Sequence, residues 1–120
     1  MNALLRLGSG LFAWAVSGLV WEQSNITLTG QPGQRTLSTV FHFRNTSAHP
    51  ITILALEPSC RCLNADTAKP VWQPGESGEV RAVFTVGPQT GKVMRSIEVL
   101  TDEPGPPALA LTLQVNLPEP

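Results

Sequence analysis

Apolar and polar residues alternate along most of this chain with a period of two, and turn-forming residues interrupt the alternation every few positions. In residues 37–45, Leu37, Thr39, Phe41 and Phe43 share one face and Ser38, His42 and Arg44 the other, with Val40 as an exception. Successive side chains of a strand point to opposite faces, so this pattern predicts a half-buried strand. Residues 79–86 repeat it, with Val80, Ala82, Phe84 and Val86 set against Glu79, Arg81 and Thr85. Residues 109–117 do so again, with Leu109, Leu111, Leu113, Val115 and Leu117 on one face. Residues 51–56 are apolar on both faces, as suits a more central strand. Residues 93–101 alternate imperfectly, which places a bulge near Arg95. Residues 19–28 form a mixed run, and Val71-Trp72 is a short apolar piece.

The interruptions have turn chemistry. Gln31-Pro32-Gly33-Gln34 and Gln73-Pro74-Gly75-Glu76 put Pro at the second position of a turn and Gly at the third. Residues 45–50, 87–91 and 102–107 are further turns or connections, and residues 58–68, which hold both cysteines, read as a loop. No long segment has helical period, and Pro at so many boundaries blocks helix propagation. The prediction is an all-β fold: an immunoglobulin-like antiparallel β-sandwich of about seven strands in about 100 residues. Antibody domains carry an inter-sheet disulfide, but here both cysteines fall in one loop.

Length and composition narrow the reading further. The 120 residues make one domain, and 42% hydrophobic content argues against disorder. With a net charge of −1 and no basic block, the chain has no footprint for nucleic acid. Residues 1–17 read as a signal peptide or membrane tether, and residues 18–120 as the sandwich domain. The leader reading rests on Arg6, the apolar stretch Leu11, Phe12, Ala13, Trp14, Ala15 and Val16, and two small-x-small sites ending at Ala15 and Ser17. A cleaved signal, an uncleaved anchor and ordinary structure all remain open for this segment. The expected location is outside the cytoplasm, periplasmic or at the cell surface, with membrane contact only through an uncleaved leader.

Five groups of residues recur in a recognisable order: Phe41-x-Phe43-Arg44-Asn45-Thr46, Ile51-Thr52-Ile53, Ser59-Cys60-Arg61-Cys62, Pro74-Gly75-Glu76-Ser77-Gly78 and Thr101-Asp102. In this combination the chain resembles the bacterial domain of unknown function 1573 family. The resemblance covers residues 19–117. It implies an exported protein similar to the immunoglobulin-like modules of cilium-associated and major-sperm-protein-like proteins. The family pattern has Gly between the cysteines and Thr after the second, where this chain has Arg61 and Leu63. Most of the signature is structural in kind. Phe41 and Phe43 are core anchors, Asn45 and Thr46 can bond nearby backbone and close a corner, and Pro74-Gly75 sets a turn.

Chemistry has few places to reside. Cys60 and Cys62 could form a disulfide closing a very small ring, either structural or labile and redox-active. As thiolates they could instead bind copper or zinc. His42 and His49, the two histidines, lack metal-motif spacing to them. Arg61 would favour a neighbouring thiolate. No nucleophile, base and orienting group occur in a known motif, and no phosphate, dinucleotide or calcium loop is present, so no catalytic residue and no cofactor is assigned. Trp21 and Trp72 read as core or core-edge residues ahead of a carbohydrate platform. The leading expectation is a non-catalytic interaction or structural module whose protein partner adds to an edge strand. The alternatives are a thiol redox or copper-binding protein using Cys60 and Cys62, and a carbohydrate-binding module using Trp72.

Overall fold

The computed structural model describes residues 18–104 and 109–119, so the leader segment 1–17 lies outside the described residues. The described residues form nine strands and no helix: β1 Leu19–Trp21, β2 Asn25–Thr29, β3 Thr36–Asn45, β4 Ile51–Pro58, β5 Leu63–Thr67, β6 Val71–Trp72, β7 Ser77–Thr85, β8 Gly91–Thr101 and β9 Leu109–Leu117. They make two sheets, one in the order β1-β3-β7-β5 and the other β2-β9-β8-β4-β6. The all-β immunoglobulin-like sandwich expected from the alternation is therefore the architecture found.

The extra strands have identifiable causes. The mixed run after residue 18 is split. Leu19 and Trp21 turn toward the core from one sheet, exposed Glu22 and Gln23 carry the chain across, and Ile26 and Leu28 turn inward from the other. This crossing makes β2 run parallel to β9, the one parallel ladder among the described residues. β5 falls inside the segment expected to be a loop. Of Leu-Asn-Ala-Asp-Thr only Leu63 is buried, so its own pattern is weak, and pairing with β7 recruits it.

Two further expectations are corrected. β8 and β9 pair in unbroken register from Gly91↔Leu117 to Val99↔Leu109, so there is no bulge at Arg95. The irregularity lies in β4, between Ile53 and Ala55, and leaves Leu54 64% exposed. β4 is also less central than its apolar run implied, because β6 covers it only at Ile51 and Thr52. Arg95 in consequence keeps the parity of buried Val93, Ile97 and Val99, opposite Leu113.

The core fills from inward positions of both sheets, with Phe41, Phe84, Ile51, Leu63, Ile97 and Leu111 fully buried. Each such side chain contributes about 1.5–3 kcal/mol through removal from water. At one end the packing is aromatic. Trp21 lies 4.9 Å from Phe43, and Phe43 meets Trp72 edge-on at 5.0 Å. Gly78 makes room for this stack, since a Cβ there would sit 2.5 Å from the Trp72 ring.

The two Pro-Gly segments are turns of the predicted kind. Gln34 N–H donates to the Gln31 carbonyl and Glu76 N–H to that of Gln73, with Gly33 and Gly75 both at φ 82°. The second turn docks on Asn45, which is 0% exposed. Asn45 Nδ2 donates to the carbonyls of His49 (3.0 Å) and Trp72 (2.9 Å), while its Oδ1 accepts from Ser47 N–H and Oγ. Its backbone N–H donates to Glu76 O, and its carbonyl accepts from Gly75 N–H. One side chain thus ties the β3–β4 corner, β6 and the β6–β7 turn together. Asn45→Ala is expected to cost about 3 kcal/mol in urea unfolding at unchanged slope, because buried carbonyls and donors lose their partners.

Glu76, in the same turn, accepts hydrogen bonds from Lys69 Nζ and from Gln73 N–H. The Lys69 hydrogen bond, with help from the Gln73 amide, holds the Glu76 carboxyl below its ordinary value of 4.5. A lowered folded-state value favours the folded chain above that ordinary value, and the benefit is lost as pH falls through the folded value. Glu76→Gln is therefore expected to lower the urea midpoint near neutrality, and the difference from the parent protein is expected to vanish only as pH falls through the folded-state value, which lies below 4.5.

Candidate functional site

Cys60 and Cys62 sit where the chain leaves β4 in one sheet and enters β5 in the other. The loop is anchored by backbone. Ser59 N–H donates to Ser96 O at 2.8 Å, and Thr85 N–H to Cys62 O at 2.7 Å. Ser96 N–H returns a bond to Ser59 Oγ at 3.0 Å. The cysteines are joined as a disulfide with their α-carbons 5.2 Å apart. Both are half-buried against the core, while Arg61 between them is exposed.

The two sulfurs have different neighbours. Cys60 Sγ accepts from the Cys62 N–H at 3.1 Å. Cys62 Sγ accepts from Arg95 Nε at 3.4 Å, and Arg95 Nη1 is itself held by Met94 O at 2.7 Å. Arg95 is the residue that sequence reasoning missed. Its signal in the sequence is a cation at a core-facing position between Val93 and Ile97, a break in alternation that a bulge would also produce.

The other candidate residues are dispersed. His42 is 56% exposed on the outer face of the β1-β3-β7-β5 sheet, 3.7 Å from Glu79. His49 lies in the β3–β4 corner, with Nδ1 3.4 Å from the Pro50 carbonyl. No group of three or more His, Cys, Asp or Glu able to hold a metal ion occurs among the described residues. Phe41, Phe43, Asn45, Pro74 and Gly75 serve as core, corner and turn. Asp102 and Glu103 bond backbone, accepting from Thr52 N–H and Gly18 N–H respectively. Trp72 is 4% exposed with Lys69 Nζ 4.9 Å from its ring centre, so it offers no open stacking face. A shallow groove lined by Val20, Trp21, His42, Arg44 and Ser77 places a serine near a histidine, but no hydrogen bond joins Ser77 to His42 among the described residues.

A second feature is a sheet edge that no strand among the described residues covers. Thr112 N–H donates to Ser24 O and Gly30 N–H to Asn116 O, both at 2.8 Å. The backbone of Ser24, Ile26, Leu28 and Gly30 therefore faces β9, and strand alternation turns that of Asn25, Thr27 and Thr29 outward. On the same side β1 and Glu22 reach only His42–Asn45 of ten-residue β3, so among the described residues the earlier part of β3 also has no paired strand there.

A family model described as protein of unknown function, DUF1573, matches residues 19–117. The chain belongs to the DUF1573 family. No curated protein sequence matches it. Among solved structures, this DUF1573 domain is similar to a protein of unknown function from Porphyromonas gingivalis W83, at 17% identity and TM-score 0.71, covering 86% of this chain and 50% of that one. It is also similar to the VesB protease of Vibrio cholerae, at 16% identity and TM-score 0.69, covering 91% of this chain and 34% of that one. The chain thus spans half or less of the length of both. The PapD-like domain 7 of human CEP192 matches nearly whole to whole, at 14% identity and TM-score 0.61, covering 86% and 87%. At these identities the likeness is one of fold.

The disulfide of this DUF1573 domain closes a loop too short to constrain the unfolded chain much. Replacing Cys60 and Cys62 together by Ser is expected to leave the near-ultraviolet circular dichroism intact and to cost no more than about 1.5 kcal/mol in urea unfolding.

Proposed function

We propose that this protein is a non-catalytic, exported interaction module that takes up an extended segment of a partner protein along β2. The observation that carries this reading is the outer edge of β2. Sheet edges exposed to solvent ordinarily carry charge, Pro or a bulge, or are very short. In this protein β1 and β6 are three and two residues long, and β5 carries Asp66. β2, Asn-Ile-Thr-Leu-Thr, has none of these protections among the described residues. A strand laid against the outward groups of Asn25, Thr27 and Thr29 would extend the five-stranded sheet to a sixth, with main-chain bonds supplying affinity. Its inward side chains would cover Ile26 and Leu28, which are half-buried at the rim of the core.

Export follows from the leader reading of residues 1–17, and a disulfide suits an oxidising compartment. The PapD-like likeness supports a module of this architecture, and the specificity would come from the residues at its edge.

The test exploits the direction of one amide. Thr27 N–H points away from β9, so Thr27→Pro removes a docking donor without removing a ladder bond. The variant is expected to lose under about 1 kcal/mol of stability. A photocrosslinker at Asn25 or Thr29 is expected to capture a protein partner in the producing cells, with capture abolished by Thr27→Pro. A crosslinker at Arg81 on the other sheet is expected to capture none. Undiminished capture in the Pro variant would refute docking at this edge.

A further inference from the structure

We infer that the Cys60–Cys62 disulfide is an exchange site for an external dithiol, with Cys60 the sulfur attacked and Cys62 the sulfur released, and that Arg95 is the positioning residue that sets this direction. The inference is independent of strand addition at β2. It rests on three observations.

First, the sulfurs differ in the charge of their donors. Cys60 Sγ faces a neutral backbone amide, while Cys62 Sγ faces a guanidinium. A hydrogen bond from a charged donor is roughly twice as strong as one from a neutral donor, so negative charge developing on sulfur is better held at Cys62. Second, Arg95 is fixed for this task. It occupies a core-facing position on β8, and the bond from Nη1 to the Met94 carbonyl leaves Nε aimed at sulfur. An arginine serving only solubility would occupy the outward parity, as Lys92 and Met94 do. Third, the loop keeps its backbone anchors whether or not the sulfurs are joined, because Ser59, Cys62 and Leu63 bond through main-chain groups to Ser96, Thr85 and Cys60. Opening the bridge leaves the sandwich in place, and so small a ring adds little to its stability.

A thiolate of the dithiol attacks Cys60 Sγ, a new S–S bond forms to Cys60, and the electron pair of the old bond passes to Cys62 Sγ beside Arg95. The second thiol, after losing its proton to water, attacks the sulfur now bound to Cys60. It expels Cys60 as a thiolate, which takes up a proton. The dithiol is oxidised to a disulfide by two electrons, and this protein is reduced to two cysteines.

The test uses the full chain in its oxidised form with glutathione, a monothiol that forms the first-step mixed disulfide, sampled early, before a second glutathione or the released cysteine attacks it. Samples are quenched with N-ethylmaleimide and cut with trypsin, whose cleavage after Arg61 separates the two cysteines. Glutathione is expected on the Cys60 peptide in about tenfold excess over the Cys62 peptide, with maleimide on Cys62. Arg95→Met is expected to erase that excess and slow opening by about tenfold, and Arg95→Lys to restore part of the excess. Circular dichroism on each variant separates these effects from misfolding. Equal labelling of both cysteines in the parent protein, an excess unchanged in Arg95→Met, or no adduct at millimolar glutathione would each overturn the assignment. Dithiothreitol and a reduced Cys-x-x-Cys peptide at equal concentration then distinguish the source of the dithiol, and oxidation of either to its disulfide supports exchange.

Discussion

The buried amide of Asn45 is the constraint on which one end of this sandwich depends. A corner where a strand leaves one sheet for another exposes carbonyls and amides that the ladders cannot pair. If such groups are buried unpaired, each costs on the order of 1–3 kcal/mol. Asn45 supplies two donors and an acceptor at that place, and its backbone closes on the Gln73–Glu76 turn. With the corner satisfied, Trp72 can pack edge-on against Phe43, and Gly78 admits both rings. A polar residue with no exposed surface thus permits the hydrophobic packing around it.

At the start of the domain, chain direction governs the outcome. Gly18 is held on both sides, its N–H by Glu103 and its carbonyl by Thr46. From that clamp the chain pairs briefly with β3, crosses at Glu22 and Gln23, and pairs with β9 in parallel. Among the described residues the crossing leaves two incompletely paired edges, β2 and the first part of β3, and the half-buried Ile26 and Leu28 lie on the first of them. The proposed docking strip is thus a by-product of how the first strand divides itself between the sheets.

At the loop joining β4 to β5 the logic is electrostatic. A guanidinium at a core-facing position forgoes some water, and the Met94 carbonyl and the Cys62 sulfur are what it meets instead. The same arrangement gives two chemically equivalent cysteines unequal surroundings.

Period-two alternation, turn chemistry and composition determined the fold class, the core-facing residues of β3, β7 and β9, and both Pro-Gly turns. These properties are local, since side-chain parity and positive φ at Gly follow from neighbours in sequence. They also placed both cysteines in one loop, apart from the two histidines. Tertiary structure alone decided the rest. β5 exists because β7 presents an edge to it, although its own residues are mostly polar. The first run became two strands because each half buries its apolar residues against a different sheet. Arg95 met Cys62 because β8 passes beneath a loop 33 positions away. Local pattern tells which way a side chain points, but only the packing of distant strands determines what it finds there.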